Sequence, residues 1–498
     1  MKRSLLALLV MAMLMAACSA DDTTDDATEE AAEATDDAAE PTDDEPSAET
    51  EEAEETEETA EDTEDATEEA AEATEIQMWV AFTDYRLDWA RDVATAFTEA
   101  HPEIAIDIQG YDDYESLFQA TQLAAEQGDA PAIVQYFEVA TQEARDAQTA
   151  NGPLFANLEE LIDGRDEILG EPVVLDDVVA PARDYYTLDG QFTSMPWNTS
   201  SAIMFSNTTM LAEAGITEPP ATWADVDAAC EAVAALTEAP TGCITWPNHG
   251  WFFEQSLGQQ GAVIANGDNG RSERASEVEL DSQAAVDFVS WWADMEDAGH
   301  YVYTGTQRDW SGTYNAFIAG EVPLLVYSSS DTTILTEDGT AAGFDVVASP
   351  MPHNGEVDYA GNLIGGATLW LTNGLETAEQ DAALAFLQFF SNPENAADWH
   401  KVTGYIPITE SAISLLEDEG WFEENPNSRV AGEQLAAADG SVASQGAILG
   451  SFVAIRDVVT GAIEDILVND VDPAGRMAAA DAEAQTLLDD YTALYAAQ

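Results

Sequence analysis

Between residues 19 and 75 the chain has no aromatic residue and consists almost wholly of Ala, Thr, Asp and Glu, with Pro41 and Pro46. Such a stretch cannot bury enough apolar surface to offset the entropy of ordering it. Any fold must therefore be built from residue 76 onward. Residues 21–75 hold 28 acids and no base, and like charges extend a chain. The segment reads as an acidic disordered tether, residues 19–75. A helical Ala/Glu stalk is disfavoured by the unpaired negative charge.

What precedes the tether suits an anchor. Met1-Lys2-Arg3 is a short basic start, and residues 5–17 form an apolar run too short to span a bilayer. The run ends at Met15-Ala16-Ala17-Cys18. Two small residues before a cysteine resemble a lipobox, although Met15 stands where Leu is usual. Residues 1–18 then read as a lipoprotein signal peptide. Cys18 is the expected lipid anchor, and the domain faces outward from the cell membrane. An ordinary signal peptide with an incidental cysteine is the plainer alternative.

Charge narrows the function classes. The formal net charge is −84, from 14 Lys+Arg against 98 Asp+Glu. Sequence-independent nucleic-acid binding needs a basic face, so that class is excluded, as is electrostatic docking on anionic lipid. Beyond the tether Lys401 is the single lysine. A carboxylate-rich, Lys-poor surface stays hydrated in strong salt, where mutual repulsion is screened. It suits a saline or alkaline habitat.

Periodicity divides the rest into strands and helices. Ile76, Met78, Val80 and Phe82 alternate with Gln77, Trp79 and Ala81, which predicts a strand over 76–82 that is buried on one face and partly on the other. A helix follows over 86–100, stopped by His101-Pro102. Strands at 104–108 and 131–136 flank a helix at 114–126. This β-α-β-α-β alternation predicts a parallel sheet with helices on both faces. Further strands are expected at 202–205, 322–327 and 363–371, with helices at 223–236 and 283–298. The chain then turns mostly helical. Cys230 and Cys243 could close a loop of about 14 residues as a disulfide, worth roughly 3 kcal/mol; two buried free thiols are the alternative. Gly365-Gly366 inside an apolar strand marks a close backbone approach.

Enzyme signatures are missing from the sequence. His101, His249, His300, His353 and His400 form no paired metal spacing, and there is no GxSxG elbow or Walker-type loop. No metal or cofactor is expected. Arg456 stands in the otherwise apolar run Ile448-Leu449-Gly450-Ser451-Phe452-Val453-Ala454-Ile455. A buried guanidinium requires an anionic partner and suits phosphate through parallel hydrogen bonds. An internal salt bridge to one of the many carboxylates is the other reading.

Several runs carry a family resemblance. Ala130-Pro131-Ala132-Ile133-Val134-Gln135-Tyr136-Phe137-Glu138 resembles an early strand of the extracellular solute-binding proteins of ABC importers. Pro196-Trp197-Asn198-Thr199-Ser200-Ser201 is similar to their lobe-crossing segment. Asn392-Pro393-Glu394-Asn395 through Thr403-Gly404-Tyr405-Ile406-Pro407, with Ile364-Gly365-Gly366-Ala367, resembles the sn-glycerol-3-phosphate-binding branch. The resemblance runs with gaps over 76–490.

It implies an α/β, two-lobed periplasmic-binding-protein-like fold with hinge-crossing strands and a helical C-terminal portion, over 76–498. Lobe I is placed at 76–190 and 330–380, and lobe II at 191–329 and 381–498. The implied ligand contacts fall on Tyr114, Glu138, Ser200, Ser328, Gly366, Tyr405 and Arg456. Trp246 and Trp251 compete for a tryptophan over the glycerol. The implied function is capture of sn-glycerol-3-phosphate or a glycerophosphodiester by a monomer that performs no chemistry and delivers its cargo to the permease subunits. An oligosaccharide receptor on the same scaffold is the alternative, and an exported hydrolase a third.

Overall fold

The computed structural model describes residues 73–495. The signal peptide, Cys18 and nearly all of the tether lie outside the described residues. The strands that build the two sheets are β1 (Thr74–Val80), β2 (Ile104–Gly110), β3 (Ile133–Phe137), β4 (Met195–Ser200), β5 (Ala202–Asn207), β6 (Ile244–Thr245), β7 (Leu324–Ser328), β8 (Val346–Pro350) and β9 (Gly365–Thr372). The helices needed below are α1 (Tyr85–Ala100), α2 (Tyr114–Gln127), α3 (Trp223–Ala234), α4 (Gly250–Gln259), α5 (Gln283–Asp297), α6 (Trp310–Ile318), α7 (Thr377–Phe390), α8 (Pro393–Thr403), α9 (Phe452–Asn469) and α10 (Pro473–Tyr495).

The first sheet has the order β4-β9-β3-β1-β2, with Phe155–Ala156 pairing on β9. β1 is parallel to β2 and β3, as the β-α-β-α-β alternation predicts. Ile76, Met78 and Val80 are fully buried. β9 runs antiparallel to both β3 and β4, so the sheet is mixed rather than wholly parallel. The second sheet has the order β6-β7-β5-β8.

The chain crosses between sheets at Ser201, directly between β4 and β5, and returns between β8 and β9. Residues 330–363 therefore belong with the second sheet and not, as expected, with lobe I. Similarly α7 packs on β1 and α1, which moves 381–390 from lobe II to lobe I. The length of a helix does not say which sheet it covers, so these boundaries are set by tertiary packing. α9 and α10 pack on each other and on α5 in lobe II.

The chain crosses a third time between α7 and α9; the crossings at Ser201 and Leu363 are tied by buried amides. Ser201 Oγ donates to Leu363 O (3.0 Å), and Gln434 Nε2 donates to Ser201 Oγ (2.9 Å) and Ala202 O (2.8 Å). Gln255 reaches the return crossing, donating to Leu363 O (2.9 Å). Full pairing of such groups is what makes burying them tolerable.

The glycine pair serves the same region. Gly366 has φ +94°, and a Cβ there would lie 1.8 Å from Asn198 O. A Cβ on Gly365 would lie 2.4 Å from the Trp251 ring. The pair admits one strand backbone and one indole to close contact, which no other residue could do.

Cys230 in α3 and Cys243 before β6 form a disulfide, with Cα atoms 5.2 Å apart. Both are buried. Closing a loop of this length restricts the unfolded chain, so the Cys230→Ala/Cys243→Ala variant should lose about 3 kcal/mol. Urea unfolding against the parent measures it; equal midpoints would assign the cysteines no stabilising role. Among the described residues no helix is long and apolar enough to cross a membrane.

Candidate functional site

A cleft of about 670 Å³ opens where the β-strand ends of the two sheets face each other. It falls within the size range of small-molecule sites. Eight of the nine expected ligand contacts line it: Tyr114, Glu138, Ser200, Trp251, Ser328, Gly366, Tyr405 and Arg456. Trp246 does not. It is 2% exposed and packs in the lobe II core against Trp291, Trp292 and Tyr301. It directly follows β6, an edge strand whose Ile244 and Thr245 are both fully buried, and the side chain at 246 continues that packing. Trp310, at the start of α6, joins Trp251 in the lining instead, with ring centroids 6.4 Å apart.

Each contact is held by local structure. Tyr114 opens α2 behind the N-cap Asp113, whose carboxylate accepts from Ser116 N (2.7 Å). Its ring stacks on Phe137 at 5.2 Å. A relay of amides fixes its hydroxyl. Ala81 N donates to Gln135 Oε1 (2.6 Å), Gln135 Nε2 to Asn198 Oδ1 (2.9 Å), and Asn198 Nδ2 to Tyr114 OH (2.7 Å). The hydroxyl accepts at the end of this relay, which leaves its proton free to donate. Burial raises its pKa well above 10, so it stays protonated. Tyr405 follows Gly404, whose φ of +108° ends α8, and stacks on Trp399 at 5.4 Å. Ser328 Oγ accepts from Ser330 N (3.2 Å) and likewise keeps its proton.

Arg456 sits in the second turn of α9 and is 5% exposed. Its Nε donates to Glu254 Oε1 (2.7 Å), and Nη2 donates to Glu254 Oε2 and Glu138 Oε1 (2.7 Å each). Both alternatives read from the sequence thus hold at once: the guanidinium is salt-bridged, and it lines the cleft. Among the described residues Nη1 has no hydrogen-bond partner, so one edge of the fork remains for a ligand. Gly250 makes the room, since a Cβ there would lie 2.8 Å from Arg456 Cγ. Burial opposes the charge on Arg456, but Glu254 and Glu138 more than offset it, and its pKa is raised. Burial also raises the pKa of Glu138, which Arg456 opposes and Glu254 reinforces.

Further cleft groups come from loops and helix starts, where local sequence carries no signal for them. His249 caps α4: its Nδ1 accepts from Trp251 N (3.0 Å). Arg308 has φ +56° and bridges Glu115 of α2 and Asp457 of α9. Arg86 pairs with Asp84 (2.6 Å) and lies 4.4 Å from the Phe82 ring centroid. Glu254 did carry a signal. All ten residues of α4 are buried, and Glu254 is its single acid. A lone carboxylate in a helix with no solvated face implies a buried cation opposite. Among the described residues no group of acidic, histidine or cysteine side chains could hold a metal ion.

Comparison with known proteins gives the same picture from outside. A family model described as bacterial extracellular solute-binding protein matches residues 92–429. The sn-glycerol-3-phosphate-binding periplasmic protein UgpB of Pectobacterium atrosepticum is 28% identical over 384 residues, covering 75% of this chain and 82% of that one. UgpB from Mycobacterium tuberculosis, solved in complex with glycerophosphocholine, superposes with a TM-score of 0.66 at 20% identity, over 83% of this chain and 98% of that one. The cyclic alpha-maltosyl-1,6-maltose binding protein of Arthrobacter globiformis superposes equally well, with a TM-score of 0.66 at 20% identity over 84% of this chain and all of that one. The fold is shared with these solved binding proteins, and the chain belongs to the bacterial extracellular solute-binding protein family.

Proposed function

We propose that this protein is the receptor of an ABC importer for sn-glycerol-3-phosphate or a glycerophosphodiester. It captures the ester in the cleft without chemistry and delivers it to permease subunits as a monomer. The carrying observation is Arg456: a buried, cleft-lining guanidinium whose Nη1 has no hydrogen-bond partner among the described residues. Ser200, Ser328, the Gly366 N–H and the Tyr114 hydroxyl supply neutral donors around it. Glu138 has a second oxygen to accept from a glycerol hydroxyl. The similarity to glycerol-3-phosphate-binding relatives supports the same reading. Cys18 is the proposed lipid anchor and residues 19–75 the tether that holds the domain off the outer face of the membrane.

A specific observation favours a second reading. Trp251 and Trp310 offer apolar faces in a cleft large enough for an oligosaccharide, and acidic residues suit sugar hydroxyls. Isothermal titration in saline buffer with glycerol-3-phosphate, glycerophosphocholine, maltose and trehalose separates the two. Heat from the phosphate esters alone is expected. Heat from the disaccharides alone overturns the proposal. Hydrolysis of glycerophosphocholine during the titration would contradict a receptor without chemistry.

A further inference from the structure

Three arginines line the cleft; two of them each contact two carboxylates, and the third contacts one with a second acid nearby. Arg456 lies between Glu138 and Glu254. Arg308 lies between Glu115, at 3.2 Å, and Asp457. Arg86 pairs with Asp84 and feels the charge of Asp331 from lobe II. With their carboxylates ionised, the Arg456 and Arg308 groups each carry one surplus negative charge, and Asp112 and Asp113 add to the acidic lining, while burial raises the pKa of Asp331. The remaining base, His249, is neutral. Its Nδ1 accepts from Trp251 N, so the proton sits on Nε2. Burial, followed by the charges of Arg456 and Arg308, holds its pKa well below 6.5. Among the described residues Nε2 has no hydrogen-bond partner.

A phosphate in this cleft therefore meets good donors but no uncompensated positive charge. Phosphomonoesters lose a second proton near pH 6 and are dianions at pH 8; diesters remain monoanions. We propose that the cleft selects the monoanionic phosphate, so that the cargo is a phosphodiester in preference to a phosphomonoester, held by Arg456 Nη1 and the His249 Nε2–H. This rests on the phosphate-ester reading above and decides between its two ligands. A second negative charge on the ligand would face the surplus carboxylate charge in a poorly hydrated space, where like charges repel strongly. The second ester substituent is then neutral or cationic, and a cleft of about 670 Å³ leaves space for it.

Titration calorimetry at pH 6 and pH 8, with glycerol-3-phosphate and glycerophosphoglycerol as probes, tests this. The diester should bind equally at both values. The monoester should bind about 50-fold more weakly at pH 8, following its monoanion fraction for a second pKa near 6. The diester arm controls for protein groups that titrate in this window. Monoester affinity that is unchanged or higher at pH 8 overturns the proposal.

Glu254→Gln removes one surplus charge and should shrink the monoester penalty below tenfold; an unchanged penalty argues against the charge balance as its cause. His249→Asn preserves the helix cap but withdraws the cleft donor. It should weaken diester binding about tenfold with the unfolding midpoint unmoved, and undiminished binding removes His249 from the site. If neither ester binds and a disaccharide does, it is the phosphate-ester reading that fails.

Discussion

Arg456→Ala should abolish phosphate-ester binding and also destabilise the domain, while Arg456→Lys should weaken binding about 100-fold in a domain that stays folded. The two outcomes differ because Arg456 has two duties. Toward the protein it neutralises Glu138 and Glu254, which are 5% and 7% exposed. Removing one partner of a buried ion pair typically costs about 3–5 kcal/mol, because the other charge stays buried. Toward the cleft it presents Nη1. Two lost charge-assisted hydrogen bonds at about 1.5–3 kcal/mol each amount to 100-fold or more.

Lysine keeps the positive charge but cannot reproduce the fork that engages Glu254 along one edge and a ligand along another. A triple variant, Arg456→Met with Glu138→Gln and Glu254→Gln, separates the duties. It should regain most of the stability lost in Arg456→Ala and none of the binding. Calorimetry and urea unfolding on the same preparations read both. Phosphate-ester affinity within fivefold of the parent in Arg456→Lys would remove the guanidinium from recognition.

The parts of this structure that were legible beforehand are those whose reason is local. Ile76, Met78 and Val80 share the buried face of β1, and Thr222, set before Trp223, caps α3 with a full capping box. The Gly365-Gly366 pair announced a close approach, although the sequence did not say that Asn198 and Trp251 are what approach. The placement of 330–363 was not legible. The choice between sheets depends on which edge of β5 accepts β8, a contact between distant residues.

The same division runs through the cleft. Tyr114, Glu138, Ser200 and Tyr405 sit at the ends of regular elements, inside runs distinctive enough to carry a family resemblance. Arg86, His249, Arg308 and Trp310 sit in loops or first turns. Their place in the cleft depends on how the two lobes face each other, and no spacing along the chain encodes that. Trp246 and Trp251 are both large aromatics near one helix start. Only the burial of β6 separates the core residue from the cleft residue.

Two titratable groups outside the cleft lining, the buried His400 and the half-buried Glu143, should give the domain opposing pH dependences. His400, in α8, places Nδ1 2.7 Å from Tyr405 O, and burial pushes its pKa down to about 4. Unfolded, it titrates near 6.5. As the pH falls from 6.5 to 4 the unfolded chain takes up a proton that the native state refuses, so stability falls with acidification. The loss approaches about 3 kcal/mol at 1.36 kcal/mol per unit.

Glu143 has the opposite sign. It lies in the short helix Thr141–Asp146 of lobe I, near the backbone at the start of α9, which opposes the effect of burial on its pKa. Its Oε2 is buried without a partner. Burial raises its pKa from 4.5 to about 8, so the native state holds a proton that the unfolded chain releases. Stability from this group is present at low pH and is lost as the pH rises from 4.5 through 8, by about 4 kcal/mol.

A stability profile of the parent alone mixes the two. Single variants resolve them, because each deletes one slope. His400→Asn, which can still donate to Tyr405 O, should gain about 3 kcal/mol on the parent between pH 7 and pH 4. Glu143→Gln should gain about 4 kcal/mol on the parent between pH 4.5 and pH 8. Urea unfolding at half-unit pH steps measures both differences. A His400→Asn curve parallel to the parent's across pH 7 to 4 would mean that the imidazole protonates freely in the folded state. A Glu143→Gln curve parallel above pH 4.5 would mean that the carboxylate is solvated and ionises freely in the folded state.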